Sequence, residues 1–212
     1  MNYLHPEWLV SPAPVAYPEA LTAMENRVND IIAGAASERI WLLEHPPLYT
    51  AGTSADPVEL KDAARFPVFA TGRGGRYTYH GPGQRVIYAM VDLRKRGKDL
   101  RQHVCRLEEW VIRVLADFGV KGERREGRIG IWVARDGREE KIAAVGVRVR
   151  KWVAYHGLSL NVDPDLSHFS GIVPCGISEF GVTSLRKLGL GATLPEVDAA
   201  FRRHLDILMP RL

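Results

Sequence analysis

The sequence predicts an α+β fold. Apolar, strand-like runs at 39–45, 66–72 and 84–93 precede one long amphipathic helix at 99–119. Hairpin-linked strands then fill 127–162, and a capped helix closes the chain. Strands and helices thus come in blocks, not in the βαβα alternation of a doubly wound sheet. The 212 residues, 46% apolar and 25% charged, suit one domain with a sizeable core, expected to span 1–212.

The elements follow in order. "YPEALTAMENRVNDIIAG" reads as an amphipathic helix, with Pro18 in its first turn, Leu21, Met24, Val28, Ile31 and Ile32 on one face, and Gly34 to end it. "RIWLLEH" before Pro46 and Pro47 fits a buried strand, "FPVFATG" another and "QRVIYAMVDL" a third. In "DLRQHVCRLEEWVIRVLADFG", Asp99 is the candidate N-cap, Val104, Leu107, Val111, Leu115 and Phe118 recur at helical spacing, and Gly119 terminates. Cys105 lies beside that stripe and is expected to be a partly buried spacer.

Residues 127–162 read as three strands, with Asp136-Gly137 turning the first into the second and "RVRK" (148–151) as the second turn. Beyond it, Trp152, Ala154, His156, Leu158 and Leu160 share one face, and Val153, Tyr155, Gly157, Ser159 and Asn161 the other. Thr193 and Glu196 stand at capping-box spacing before "VDAAFRRHLDILM", the closing helix.

Composition removes several function classes. No apolar run approaches the ~18 residues of a membrane span, and "MNYLHPEWLVSPAPV" lacks the basic and apolar regions of a signal peptide. Two cysteines are too few for a disulfide framework, so a reducing cytoplasm is the expected compartment. Net charge is +4, with basic clusters at 94–101, 121–128 and 148–151. These are solvated faces or a docking surface for an acidic partner; no RNP, zinc-finger or basic-zipper pattern favours nucleic acid.

Three segments carry candidate chemistry. "RGGRYTYHGPGQ" (73–84) combines Gly74, Gly75, Gly81 and Gly83, letting a ligand approach the backbone. It matches neither a phosphate loop nor a dinucleotide fingerprint. In "EEKIAAVGV" (139–147), Lys141 opens a run of small and apolar residues on a strand. Pointing outward it would be a surface lysine; pointing into a pocket, desolvation would lower its pKa and fit it for proton transfer. In "SGIVPCGIS" (170–178), Cys175 stands between Pro174 and Gly176, outside any periodic run. Only a few per cent of a free thiol with a pKa near ~8.5 is thiolate at neutral pH, so a nearby base would activate it. Lys141, His80 and His156 are candidates for that base, and His45 a weaker one. A G-x-S-x-G elbow is absent, as are H-x-x-x-H and C-x-x-C metal spacings, so no metal ligand is expected.

Together "WLLEHPPLYTAG", "RGGRYTYHGPGQRVIYAMVDLR", "EEKIAAVGVRVRKWVAYHGLSLNV", "FSGIVPCGI" and "GVTSL", collinear from about residue 20 onward, resemble the octanoyl-[acyl carrier protein]:protein octanoyltransferases, the lipoate-protein ligase B family. Ala51 and Thr53 depart from the bulky and basic residues often found there in the family. The resemblance implies a mixed β-sheet flanked by helices, like that of the biotin and lipoate protein ligases. It implies transfer of an octanoyl group from acyl carrier protein to a lysine of lipoyl domains, in 2-oxoacid dehydrogenase E2 subunits and the glycine cleavage H protein. Cys175 would be the acyl-thioester nucleophile and Lys141 its partner, with His156 a possible assistant. The substrate pocket would comprise Arg73, Gly74, Gly75, Arg76, Tyr77, Thr78, Tyr79 and His80, then Ala144, Val145 and Gly146, then Gly157, Leu158 and Ser159. No cofactor or ATP is implied, because the thioester is already activated; a monomer without nucleic acid or membrane partners is expected. The alternative is an ATP-dependent lipoate or biotin ligase of the same fold.

Overall fold

The computed structural model describes residues 6–173 and 180–210. Among these, the main sheet runs in the order β1 (Glu7–Val10), β2 (Arg39–Leu43), β6 (Gln84–Asp92), β10 (Val153–Asn161), β9 (Arg138–Arg150), β8 (Arg128–Arg135) and β7 (Glu123–Arg125). A short β11 (Gly181–Val182) pairs with β9 in parallel, at Glu140 and Lys141. The β1–β2 pair is also parallel and the others are antiparallel, so the sheet is mixed. A second, smaller sheet joins β4 (Val68–Ala70), β3 (Leu48–Ala51) and β5 (Tyr77–His80).

Helices cover both faces of the main sheet. On one, α1 (Tyr17–Ala33) packs Ala20, Met24, Val28 and Ile31 against Trp41, Leu43, Val86, Tyr88 and Met90. On the other, α2 (Leu100–Asp117) and α3 (Leu194–Arg203) bring Leu107, Trp110, Val111, Leu115 and Phe201 onto Ile40, Leu42, Ile87, Ala89 and Leu158. Alternate residues of β2 and β6 serve opposite cores. Their sequences therefore read as continuous apolar runs with no visible period of two.

The expected caps are present: Asp99 accepts from the Gln102 N–H, Gly34 ends α1 at φ 74°, and Thr193 and Glu196 form a reciprocal box. Asp136 and Gly137 turn β8 into β9 with φ of 51° and 72°, the left-handed pair that a two-residue hairpin needs. Several expectations need correction. "RVRK" is not a turn: β9 continues through Arg150, and Lys151 and Trp152 make the bend at φ 46° and 65°. The closing helix breaks at His204 and resumes as α4 (Leu205–Leu208). "FPVFATG" contributes only the three residues of β4, on the smaller sheet. Tyr77 to His80, read as part of a glycine-rich stretch, form strand β5. Cys105 is exposed, not partly buried, because it sits opposite the His103, Leu107 and Trp110 side of α2.

Candidate functional site

A cavity of about 470 Å³ opens between β9, β10 and the 73–80 segment. Arg73, Gly74, Gly75, Arg76, Tyr77, Thr78 and His80 line it, as do Ala144, Val145, Gly146, Gly157, Leu158, Ser159, Lys141 and His156. Of the expected pocket residues only Tyr79 stays outside its wall. Tyr79 is buried in an aromatic cluster with Tyr49, Phe66 and Phe169 and donates to or accepts from His168 Nδ1 at 2.8 Å.

Close backbone approach explains the glycines. The Gly74 N–H donates to Val147 O at 3.0 Å, laying the loop along β9. A Cβ on Gly146 would come within 3.0 Å of Gly74 O and 3.1 Å of Arg73 Cδ, so a side chain there would push the loop away. The guanidinium of Arg73 ties the loop to β3, donating to Thr50 O at 3.0 Å, Thr50 Oγ1 at 2.7 Å and Arg76 O at 3.1 Å. Gly83, at φ 84°, lets the turn before β6 accept from the N–H groups of Val162 and Asp163; a Cβ would meet Asp163 O at 2.2 Å.

Lys141 faces the cavity because β9 is irregular there. Ile131 pairs with Ala143 but Trp132 with Lys141, leaving Ile142 as an extra residue, and both Ile142 and Ala143 enter the same core. The lysine is 6% exposed, donates to Ile129 O at 2.8 Å and stands 4.8 Å from the centre of the Trp132 ring. Gly130 makes the room: a Cβ there would lie 3.3 Å from Lys141 Nζ, and its N–H is held by Glu108 Oε1 at 3.1 Å. Phe180 meets Trp132 edge-on at 5.5 Å, with Arg128 stacked 4.2 Å from the Phe180 ring. Sequence reasoning passed over Gly130, Trp132 and Glu108; the signal available was a lone glycine inside the strand run "RIGIW".

Cys175, with Pro174 and Gly176 beside it, lies outside the described residues. Its described neighbours in sequence are Val173, whose N–H donates to Glu59 O at 2.8 Å, and Phe180 against Trp132. The structure does not bring His156 to Lys141: His156 pairs with Val147, six residues along β9. His45 and His80 make their own hydrogen bonds elsewhere, to Tyr88 and Gln84.

The three histidines form a neutral group. Burial pushes His45 down to about 4, while its Nδ1–H donates to Val15 O at 2.6 Å and its Nε2 accepts from the Tyr88 hydroxyl at 2.7 Å. Burial, then the neighbouring His45, pushes His80 down to about 3. Burial, then Arg73 and Arg148, does the same to His156, also to about 3. With folded pKa values below the ordinary ~6.5, the unfolded chain takes up more protons as pH falls. Their contribution to stability is therefore complete above about pH 6.5 and lost progressively toward pH 4. The expected result is a falling thermal midpoint between pH 7 and 4.5, above the range where carboxylates titrate. His45→Asn should flatten part of that slope, since His80, His156 and buried His103, which burial also pushes down to about 4, share it; an unchanged slope would remove His45 from it.

The basic clusters divide. At 121–128, Lys121, Arg124, Arg125 and Arg128 all pair with carboxylates of Glu108, Glu109, Glu123 or Glu139. Arg96 is buried against Glu38 and Arg94 pairs with Asp92. Lys95, Lys98 and Arg101 remain exposed, close in sequence to the cavity-lining Leu100.

The family model for the lipoyl protein ligase A/B catalytic domain matches residues 16–206. An octanoyltransferase of Paramagnetospirillum magneticum is 67% identical over 201 residues, covering 94% of each chain. One from Rhodospirillum rubrum is 65% identical, covering 94% of this chain and 93% of its own. Among solved structures, a lipoate-protein ligase A bound with ATP superposes with a TM-score of 0.70 at 15% identity, covering 97% of this chain and 85% of that one. A bipartite lipoate-protein ligase from Thermoplasma acidophilum gives 0.69 at 16%, covering 98% and 84%. At such identities these two structures bear on the fold.

Proposed function

The chain belongs to the lipoyl protein ligase A/B catalytic family and is an octanoyltransferase of protein lipoylation, and from that premise we propose that it carries the octanoyl group on Cys175, with Lys141 moving the protons. The observation that carries this reading is a buried lysine on the wall of a largely apolar cavity. Val182, which pairs with Lys141, and Phe180, against Trp132, lead in sequence from the Cys175 segment to that lysine.

The Cys175 thiolate, its proton passed to Lys141, attacks the thioester carbonyl, the bond from the carbonyl to the carrier's sulfur breaks, and the departing thiolate takes that proton from Lys141. The acceptor lysine amine then attacks the acyl-cysteine, an amide forms, the bond to Cys175 breaks, and Lys141 takes the excess proton. Ala143, Ala144 and Gly146 leave room for the chain, whose burial is worth about 0.8 kcal/mol per methylene.

Lipoyl-domain proteins are the acceptors. Acyl carrier protein is the donor in this reading, and the chain works as a single-domain monomer in the cytoplasm. Among the described residues no helix is long and apolar enough to cross a membrane. Lys95, Lys98 and Arg101, exposed and close in sequence to the cavity-lining Leu100, suit an acidic partner and would act mainly on association rate. The test is octanoyl transfer from octanoyl carrier protein to a lipoyl domain without ATP. Transfer should proceed, with KM for the carrier rising as salt is added. A strict requirement for ATP would overturn the acyl-cysteine route, and a salt-independent KM would remove the docking patch.

A further inference from the structure

We propose that Tyr17 and His156 form a polar inner end to the cavity, a subsite for a hydroxyl at the far end of a long-chain acyl group. The proposal rests on the octanoyl-transfer reading and extends it to which acyl groups the cavity favours. Both residues line the cavity and are almost fully buried, at 3% and 2% exposure. Among the described residues, Tyr17 Oη and His156 Nε2 are nonetheless without a hydrogen-bond partner. Buried polar atoms on a cavity wall are the ones that a bound ligand or water satisfies.

The backbone of His156 gives a second, independent indication. It holds φ 59° in the middle of β10, a left-handed conformation costly for a residue with a side chain. Pairing of Ala154 with Val91 and Gly157 with Tyr88 fixes the strand on either side of it. The alternation expected from sequence would put His156 with Ala154 and Leu158, which lie in the α2 core. Its ring instead stacks on Tyr155, at 5.1 Å and 20°, and meets Tyr88 edge-on at 5.9 Å. Tyr17 is held in turn by Phe69 at 5.1 Å and His45 at 5.6 Å. Burial keeps Tyr17 up at about 12 and His156 down at about 3, so both are neutral and can exchange hydrogen bonds with an uncharged group.

The span sets which chains reach this end. His156 pairs with Val147, six residues from Lys141, or roughly 20 Å at the rise of an extended strand. An extended chain advances about 3.5 Å per three bonds. The seven carbon–carbon bonds of an octanoyl group therefore cover about 8 Å, whereas the fifteen of a hexadecanoyl group, with a terminal carbon–oxygen bond, cover about 19 Å. An octanoyl group stops short and leaves the polar end to water. A longer apolar chain displaces that water and replaces it with nothing, whereas a terminal hydroxyl restores the hydrogen bond.

The experiment compares matched donors, hexadecanoyl and 16-hydroxyhexadecanoyl carrier protein, with octanoyl carrier protein as the reference. Wild type should favour the hydroxylated chain over its apolar twin by about 10-fold in kcat/KM. Tyr17→Phe, which keeps the ring that packs on Phe69, should shrink that ratio several-fold, with the thermal midpoint confirming the fold. Preference for hexadecanoyl in wild type, or an unchanged ratio in the variant, overturns the proposal. Absence of octanoyl transfer in wild type would instead count against the functional reading. In that case calorimetric binding of hexadecanoic and 16-hydroxyhexadecanoic acids, to wild type and Tyr17→Phe, decides the subsite by the same ratios.

Discussion

Cys175→Ala is expected to lower octanoyl transfer by roughly 10⁴-fold or more, the scale on which enzymes lose activity when a covalent nucleophile is removed. The reading requires a covalent acyl-enzyme, so the sharper observation is intact mass after mixing with octanoyl carrier protein. Wild type should gain one octanoyl group that chases onto a lipoyl domain when acceptor is added; Cys175→Ala should gain none. Cys105 makes the control necessary, since it is an exposed free thiol on α2 and can exchange with a thioester in solution without any active site. A Cys105→Ser background removes that ambiguity. Should the adduct vanish with Cys105→Ser and persist with Cys175→Ala, the nucleophile has been misassigned.

The path to this site from sequence was uneven for physical reasons. Helices α1 and α2 were legible because each has one buried face and standard caps, Gly34 and Asp99, so periodicity and termini agree. The strands β2 and β6 were legible as apolar runs, but their pairing was not, since residues buried on both faces carry no register signal. The residues themselves singled out the 73–84 segment and Lys141, and motif resemblance added the Ala144–Gly146 run. Neither could show that Lys141 turns inward at a bulge, or that Gly130 clears the space for its amino group, because both depend on how β8 is staggered against β9. His156 is the clearest miss. A period of two assigned it to one face, and a single left-handed residue moved it to the other, a conformation that tertiary packing imposes and no local propensity announces.

Lys141→Met should reduce transfer by at least ~100-fold, the lower end of what positioned acid–base groups contribute. Methionine keeps the unbranched stem that passes Gly130 and rests by Trp132, while removing the amino group. The fold should survive. Ile129 O loses a donor, at a cost of about 1–3 kcal/mol if no water replaces it, and the apolar contacts of Ile142 and Ala143 stay in place. Two steps use this lysine in the proposed cycle, so acylation and deacylation should both slow in single-turnover experiments. A merely structural lysine would instead lower the thermal midpoint and leave both rates intact in the folded fraction. The pH profile of Cys175 alkylation by iodoacetamide, measured in a Cys105→Ser background, separates the roles further. If Lys141 supports the thiolate, the Lys141→Met profile should move toward that of a free thiol near ~8.5. An identical profile in variant and wild type, together with unchanged transfer, would take Lys141 out of the mechanism and leave the buried cation beside Trp132 as a packing feature of β9.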